Sequence, residues 1–129
     1  MQKDFDNWNS QKKKNHNEKV RPFFHEREIW FCNLGVNIGF EQDGSGENFM
    51  RPVIVIRKFA NELCWVIPLT RTEKKGKYYY NFSFEKGVVS NAIISQIRLI
   101  DSKRLFYKVG DMEEANFKEM IERIKKLFP

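Results

Sequence analysis

Two periodicities organise the chain: short β-favouring apolar runs separated by polar turns from Glu28 to Gly110, then apolar residues at helical spacing to the end. The first run, EIWFCNL from Glu28 to Leu34, predicts a strand, and the polar, glycine-bearing stretch from Gly35 to Met50 reads as a long loop of the kind often tied to function. PVIVIRKF (Pro52 to Phe59) and LCWVIPL (Leu63 to Leu69) answer one another across Asn61-Glu62, which predicts a hairpin, with Pro52 tolerable at a strand's first position. A polar link, TRTEKKG from Thr70 to Gly76, leads into KYYYNFSF, where Tyr78, Tyr80, Phe82 and Phe84 alternate with Tyr79, Asn81 and Ser83. That aromatic stripe reads as core rather than as a platform for stacking bases. VVSNAIISQIRLI is long enough for one bent strand, Asp101-Ser102-Lys103 makes a turn, and RLFYKVG follows as a short strand.

At the C-terminus Phe117, Met120, Ile121, Ile124 and Phe128 share one helical face. Asp111 reads as the cap, with Glu114 three residues on, and Lys125 and Lys126 complement the helix dipole. At the other end, residues 3–19 are polar and Lys-rich, with Phe5 and Trp8 spaced to share a helical face before Arg21-Pro22 stops any helix. The division expected is an N-terminal polar arm or helix over 1–24 and a domain over 25–129. Many short antiparallel strands closed by one amphipathic helix give a mainly β, α+β architecture, a small barrel-like sheet with the helix packed on it.

A length of 129 residues, 41% of them hydrophobic and 12 of them Phe, suits one domain with a real core. The excess of 23 Lys and Arg over 17 Asp and Glu, a formal +6, favours polyanionic partners such as nucleic acid. No apolar run approaches the roughly 20 residues that span a bilayer, and the N-terminus lacks a signal peptide's apolar stretch, so no membrane partner and a cytoplasmic location are expected. Cys32 and Cys64, both in expected strands, read as buried thiols. With His16 and His25 they lack the paired spacing of a zinc site, so neither metal nor cofactor is expected.

Little chemistry is legible from residue types alone. The glycines of GSGENF lack the Lys-Ser/Thr ending of a phosphate loop, no Ser-His-Asp order is present, and both histidines read as solvated surface residues. Glu41 and Gln42 are either an acid and an amide for chemistry or a polar pair that shapes the loop.

The segments EIWFCNLGVNIGFEQDGSGENFMRPVIVI, VIPLT and AIISQIRLIDSKRL, with VG after them, occur in this order from about Arg27 to the C-terminal helix. They resemble the signature of the PemK/MazF growth-inhibitor toxins: a G-x-E-Q loop, an R-P-V strand start, a P-L-T strand end and a Q-I-R-x-I-D-x-x-R-L block. The resemblance implies an SH3-like, CcdB-like antiparallel β-barrel that forms a homodimer, cleaves single-stranded RNA without metal, and is restrained by a small acidic antitoxin. It also implies a catalytic pair, Arg51 of R-P-V and Thr70 of P-L-T. Arg51 offers five N–H donors on a permanent cation, suited to a pentacovalent phosphorane, whereas the Thr70 hydroxyl can hydrogen-bond a phosphoryl oxygen or the 2′-hydroxyl. Without the resemblance, a surface salt bridge and a strand cap are the preferred readings of the two.

Substrate contacts are expected from Phe40, Glu41 and Gln42 in the long loop, from Arg71, Lys74 and Lys75 beyond Thr70, with Lys77 beside them, and from Gln96 of the Q-I-R block. Phe40 either stacks on a base or packs its loop, and the lysines either follow the RNA backbone or form a solvated cluster. Some relatives place a catalytic His before the loop E-Q and an Asp before the Q of Q-I-R. Here those positions are Phe40 and Ser95, which leaves the Arg/Thr chemistry. The Gly that usually opens the first strand is Arg27, and the loop carries the additional DGSGENFM. The alternative function is a toxin-like module that binds nucleic acid or protein without catalysis.

Overall fold

The computed structural model of the protein describes all residues except 1–2, 18–19, 36, 39–43 and 45–49. Among the described residues seven strands carry the fold: β1 (Glu28–Asn33), β2 (Met50–Lys58), β3 (Leu63–Thr70), β4 (Tyr79–Glu85), β5 (Val88–Ile93), β6 (Arg98–Asp101) and β7 (Leu105–Asp111). Helices α1 (Phe5–Asn17) and α2 (Glu114–Lys125) flank them, and a single 3-10 turn (Ser102–Arg104) joins β6 to β7. All pairings are antiparallel, in the order β4-β5-β3-β2-β1-β7, with β6 alongside the first half of β3.

Strand alternation sends side chains to two separate cores. Ile54 and Ile56 of β2 join Ile29, Ile67, Tyr80 and Phe82 in the core that α2 closes with Met120 and Ile124. Val53 and Val55 instead join Trp30, Cys32, Cys64, Val66 and Phe24 in a second core. Burial on both faces is why β2 and β3 read as near-continuous apolar runs. Both cysteines are free and buried, and burial pushes each thiol up to about 12. Pro68, without an N–H to give, stands where the edge of β3 passes from β6 (last pair Val66 with Arg98) to β5 (first pair Leu69 with Ala92).

The sheet does not close into the full barrel expected. Its end strands, β4 and β7, share no ladder among the described residues. They meet through a side chain: a Cβ built on Gly110 of β7 would lie 2.7 Å from the Phe84 ring of β4. Four local expectations also change. VVSNAIISQIRLI is two strands, because the turn at Ile94-Ser95, where Gln96 N–H donates to the Ile93 carbonyl (2.9 Å), breaks it. Asp111 ends β7 in register with Glu28 rather than capping α2, whose N-cap is Glu113 with no side-chain capping bond. Tyr78 falls just before β4 and is 46% exposed, so the aromatic stripe buries only Tyr80, Phe82 and part of Phe84. Because α2 stops at Lys125, Phe128 lies beyond its apolar face, exposed.

Arg27 has φ 72°, the left-handed region, which costs a residue with a Cβ about 1–2 kcal/mol. The Gly that the resemblance leads one to expect at this position would adopt that conformation without the cost. Here it is held by Arg27 N–H to the Val55 carbonyl (2.8 Å), Met112 N–H to the Arg27 carbonyl (2.9 Å) and Arg27 Nε to the Met112 carbonyl (3.2 Å).

Candidate active site

The β2–β3 hairpin brings the R-P-V and P-L-T motifs together. With Val53 opposite Pro68, the start of β2 faces the end of β3, and Arg51 Nη1 donates to the Leu69 carbonyl at 3.2 Å. That bond holds the guanidinium beside Thr70. Thr70 Oγ1 accepts the Thr72 N–H (3.2 Å), a side-chain turn that bends the chain out of the strand and leaves the hydroxyl proton to be donated elsewhere.

Asn91 of β5, buried and in register with Thr70, fastens this bend from behind. Its Nδ2 donates to the carbonyls of Thr72 (3.0 Å) and Thr70 (3.4 Å). Its Oδ1, also buried, has no hydrogen-bond partner among the described residues. Composition gave no signal for Asn91, because its role depends on the β3–β5 register.

Arg51 and Thr70 line one cavity of about 340 Å³. Phe31, Phe84 and Val109 supply apolar wall, and Arg71, Glu85 and Ser90 add polar groups. The volume is within the range of small-ligand clefts, roughly 300–1,000 Å³. Arg71 Nη2 lies 3.9 Å from Glu85 Oε2, with both side chains well exposed, so the pair binds weakly and either partner can turn to a ligand.

Of the residues expected to touch substrate, Arg71 is therefore in the cavity. Lys74 and Lys75 are exposed on the loop beyond it, Lys75 facing Glu73 at 3.8 Å, and Gln96 sits in the turn after β5; none of the three lines the cavity. Phe40, Glu41 and Gln42 lie outside the described residues. Glu85, which nothing in the sequence singled out, is the carboxylate of the cavity. The Lys86-Gly87 turn, with Gly87 at φ 79°, folds β4 onto β5 and brings Glu85 and Ser90 to the same wall. Among the described residues no three His, Cys, Asp or Glu side chains gather where they could hold a metal ion, and no helix is long and apolar enough to cross a membrane.

Among solved structures, MazF from Deinococcus radiodurans matches at TM-score 0.68 and 18% identity, over 84% of this chain and 97% of that one. Toxin MazF-mt6 of Mycobacterium tuberculosis matches at TM-score 0.61 and 16% identity, over 79% of this chain and 96% of that one. An endoribonuclease in complex with its cognate antitoxin, from a mycobacterial species, matches at TM-score 0.61 and 12% identity, over 83% and 98%. At these identities the likeness is one of fold. The comparison with curated proteins finds no match. A family model does match, over residues 25–128, and by it the chain belongs to the PemK-like, MazF-like toxins of type II toxin–antitoxin systems.

Proposed function

We propose that this protein is a cytoplasmic endoribonuclease toxin that cleaves single-stranded RNA, at preferred sequences, without a metal ion. What carries the reading is the placement of Arg51 and Thr70 in one cavity of a chain that belongs to this toxin family. The nucleophile is the substrate's own 2′-hydroxyl. Its oxygen attacks the adjacent phosphorus, the bond from phosphorus to the 5′-oxygen breaks, and the products are a 2′,3′-cyclic phosphate, opening to a 3′-phosphate, and a 5′-hydroxyl end. Arg51 stabilises the charge gathered on the phosphorane and assists the departing oxygen, and Thr70 orients the 2′-hydroxyl or a phosphoryl oxygen. Two carboxylates are candidates to take the 2′-hydroxyl proton: Glu85 in the cavity and Glu41 of the long loop. Arg71, Lys74 and Lys75 follow the RNA backbone, with Phe40, Gln42 and Gln96 as further contacts. A homodimer, read by sedimentation, and a small acidic antitoxin complete the assembly; one of the similar folds is a complex with an antitoxin.

Mixed-sequence single-stranded RNA incubated with the protein in EDTA is expected to be cut to the ends named above. Arg51→Ala should lower the rate by about a hundredfold to a thousandfold, the size of losing one preorganised donor, with circular dichroism and unfolding midpoint unchanged. Thr70→Ser should keep most of the rate that Thr70→Ala loses. No cleavage, or cleavage that EDTA abolishes, overturns the reading. Growth arrest that persists in Arg51→Ala with cellular RNA intact points instead to a binding module that acts on a protein.

A further inference from the structure

Helix α1 lies outside the matched family span of 25–128, yet it docks against the 3-10 turn and the end of β1. Trp8 is buried, with the Arg104 guanidinium 5.4 Å over its ring. Lys103 Nζ donates to the His16 carbonyl (2.9 Å), and Asn33 Nδ2 to Asn15 Oδ1 (3.3 Å). Between the helix and the 3-10 turn lies a cavity of about 240 Å³ lined by Lys12, Asn15, His16, Asp101, Lys103 and Arg104.

The charge of this cavity is unbalanced. Its one acid, Asp101, is gripped through both oxygens by Arg21 and accepts the Lys103 N–H as well. Among the described residues Lys12, Lys103 and Arg104 form no ion pair with a carboxylate. Their partners are the Trp8 ring and the carbonyls of His16 and Asn33. Burial, and the neighbouring Arg98, push against the charge of Arg104, and Asp101 offsets them only in part. Three cations around a concavity whose single acid is already shared with Arg21 are stabilised by a bound anion. An opening of this kind, whose lining side chains are all polar, suits the compact charge of a phosphate; the apolar anchors that a protein segment needs, Val20, Pro22, Leu105 and Phe106, line the adjoining cavity instead.

The strand that leaves the 3-10 turn also runs near the strand that carries Arg51. Arg51 is in register with Cys32, and Cys32 with Leu105, the residue after Arg104. Two strand spacings, about 10 Å, therefore separate the backbones at Arg51 and Leu105.

We propose that the cavity between α1 and the 3-10 turn binds a backbone phosphate of the RNA substrate, so that the N-terminal helix lengthens the track leading to Arg51 and Thr70. The proposal rests on the ribonuclease reading above. Its test is the salt dependence of binding to an uncleavable 2′-O-methyl single-stranded oligoribonucleotide. The variants are Lys12→Gln with Lys103→Gln, and Lys13→Gln, on the same helix but outside the cavity, as the control. The double variant should bind severalfold more weakly at every sequence, and its slope of log affinity against log salt should be shallower by about 0.7 for each phosphate that the protein no longer neutralises. Lys13→Gln should keep the wild-type slope. Circular dichroism establishes that α1 persists. Equal slopes for wild type and double variant, as a cavity serving an acidic protein would give, overturn the proposal alone if RNA is still cut. An equal loss in Lys13→Gln also overturns it, and a wild-type protein that binds no RNA overturns both readings.

Discussion

Glu28 is the buried acid on which three segments converge. Its Oε1 accepts the His25 N–H (2.8 Å) and Trp30 Nε1 (3.0 Å), and Oε2 faces Lys108 Nζ (3.2 Å). Burial works to raise its pKa, but the hydrogen bonds from His25, Trp30 and Lys108 outweigh it and hold the carboxyl below its ordinary 4.5. A pKa depressed by folding contributes stability that is present above 4.5 and lost as the pH falls through the folded value. Glu28→Gln is therefore expected to cost about 1–3 kcal/mol at neutral pH, where charge-assisted bonds are lost, and less as the solution is acidified below 4.5. Urea midpoints across that range check this; a difference between the two proteins that stays constant into acid refutes it. At the same scale, the pairing of Arg51 with Thr70 came from the resemblance carried by the R-P-V and P-L-T motifs and not from the residue types, and a single tight hairpin sets those two motifs side by side. Asn91, Glu85 and Ser90 were not legible, because they reach the site through the β3–β5 and β4–β5 registers, and a sequence of alternating apolar residues does not state which strands lie side by side.

Among the elements, α1 has the least to hold it by composition and depends most on one side chain. Its polar sequence buries a single residue, Trp8, while Phe5, expected to dock beside it, is 51% exposed. Gly35 receives the indole: at φ 76°, a Cβ there would stand 1.9 Å from the ring. A helix of 13 residues is marginal in water by itself, so it forms because it is docked. Both Trp8→Ala and Gly35→Ala should therefore release it. The expected signature is loss of the α1 share of helical dichroism and rapid proteolysis before Arg21, with the sheet's unfolding transition retained. A helix that remains protected in Trp8→Ala would mean that the polar contacts of Lys103 and Asn33 suffice. Element type was largely legible here, since long periodic runs fixed β1, β2, β3 and α2. The boundaries that failed did so for identifiable reasons. The turn at Ile94-Ser95 is made of residues that also suit strands, and Asp111, a good helix cap by type, is held in β7 by its pairing with Glu28 and by Lys108 at 3.2 Å.

For the molecule as a whole, the consequential feature is how the open sheet is held shut. β4 and β7 are joined by the Phe84 ring lying against the backbone at Gly110, and Phe84 and Val109 are also wall of the cavity that holds Arg51 and Thr70. Closure and site thus share one contact. Gly110 lies outside the positive-φ region, so an alanine there adds no backbone strain, and its effect is steric: the Cβ, 2.7 Å from Phe84 Cδ2, forces the ring away from β7. Overpacking of this kind costs about 1–3 kcal/mol. Gly110→Ala should lower the unfolding free energy from denaturant titration by that amount and, on the proposed reading, weaken RNA binding more than turnover, because Arg51 and Thr70 stay on their own hairpin. Phe84→Leu made in the Gly110→Ala background should recover part of the loss, so that the two costs are less than additive, as expected for residues in contact. Additive costs would mean that the sheet's ends are held together elsewhere.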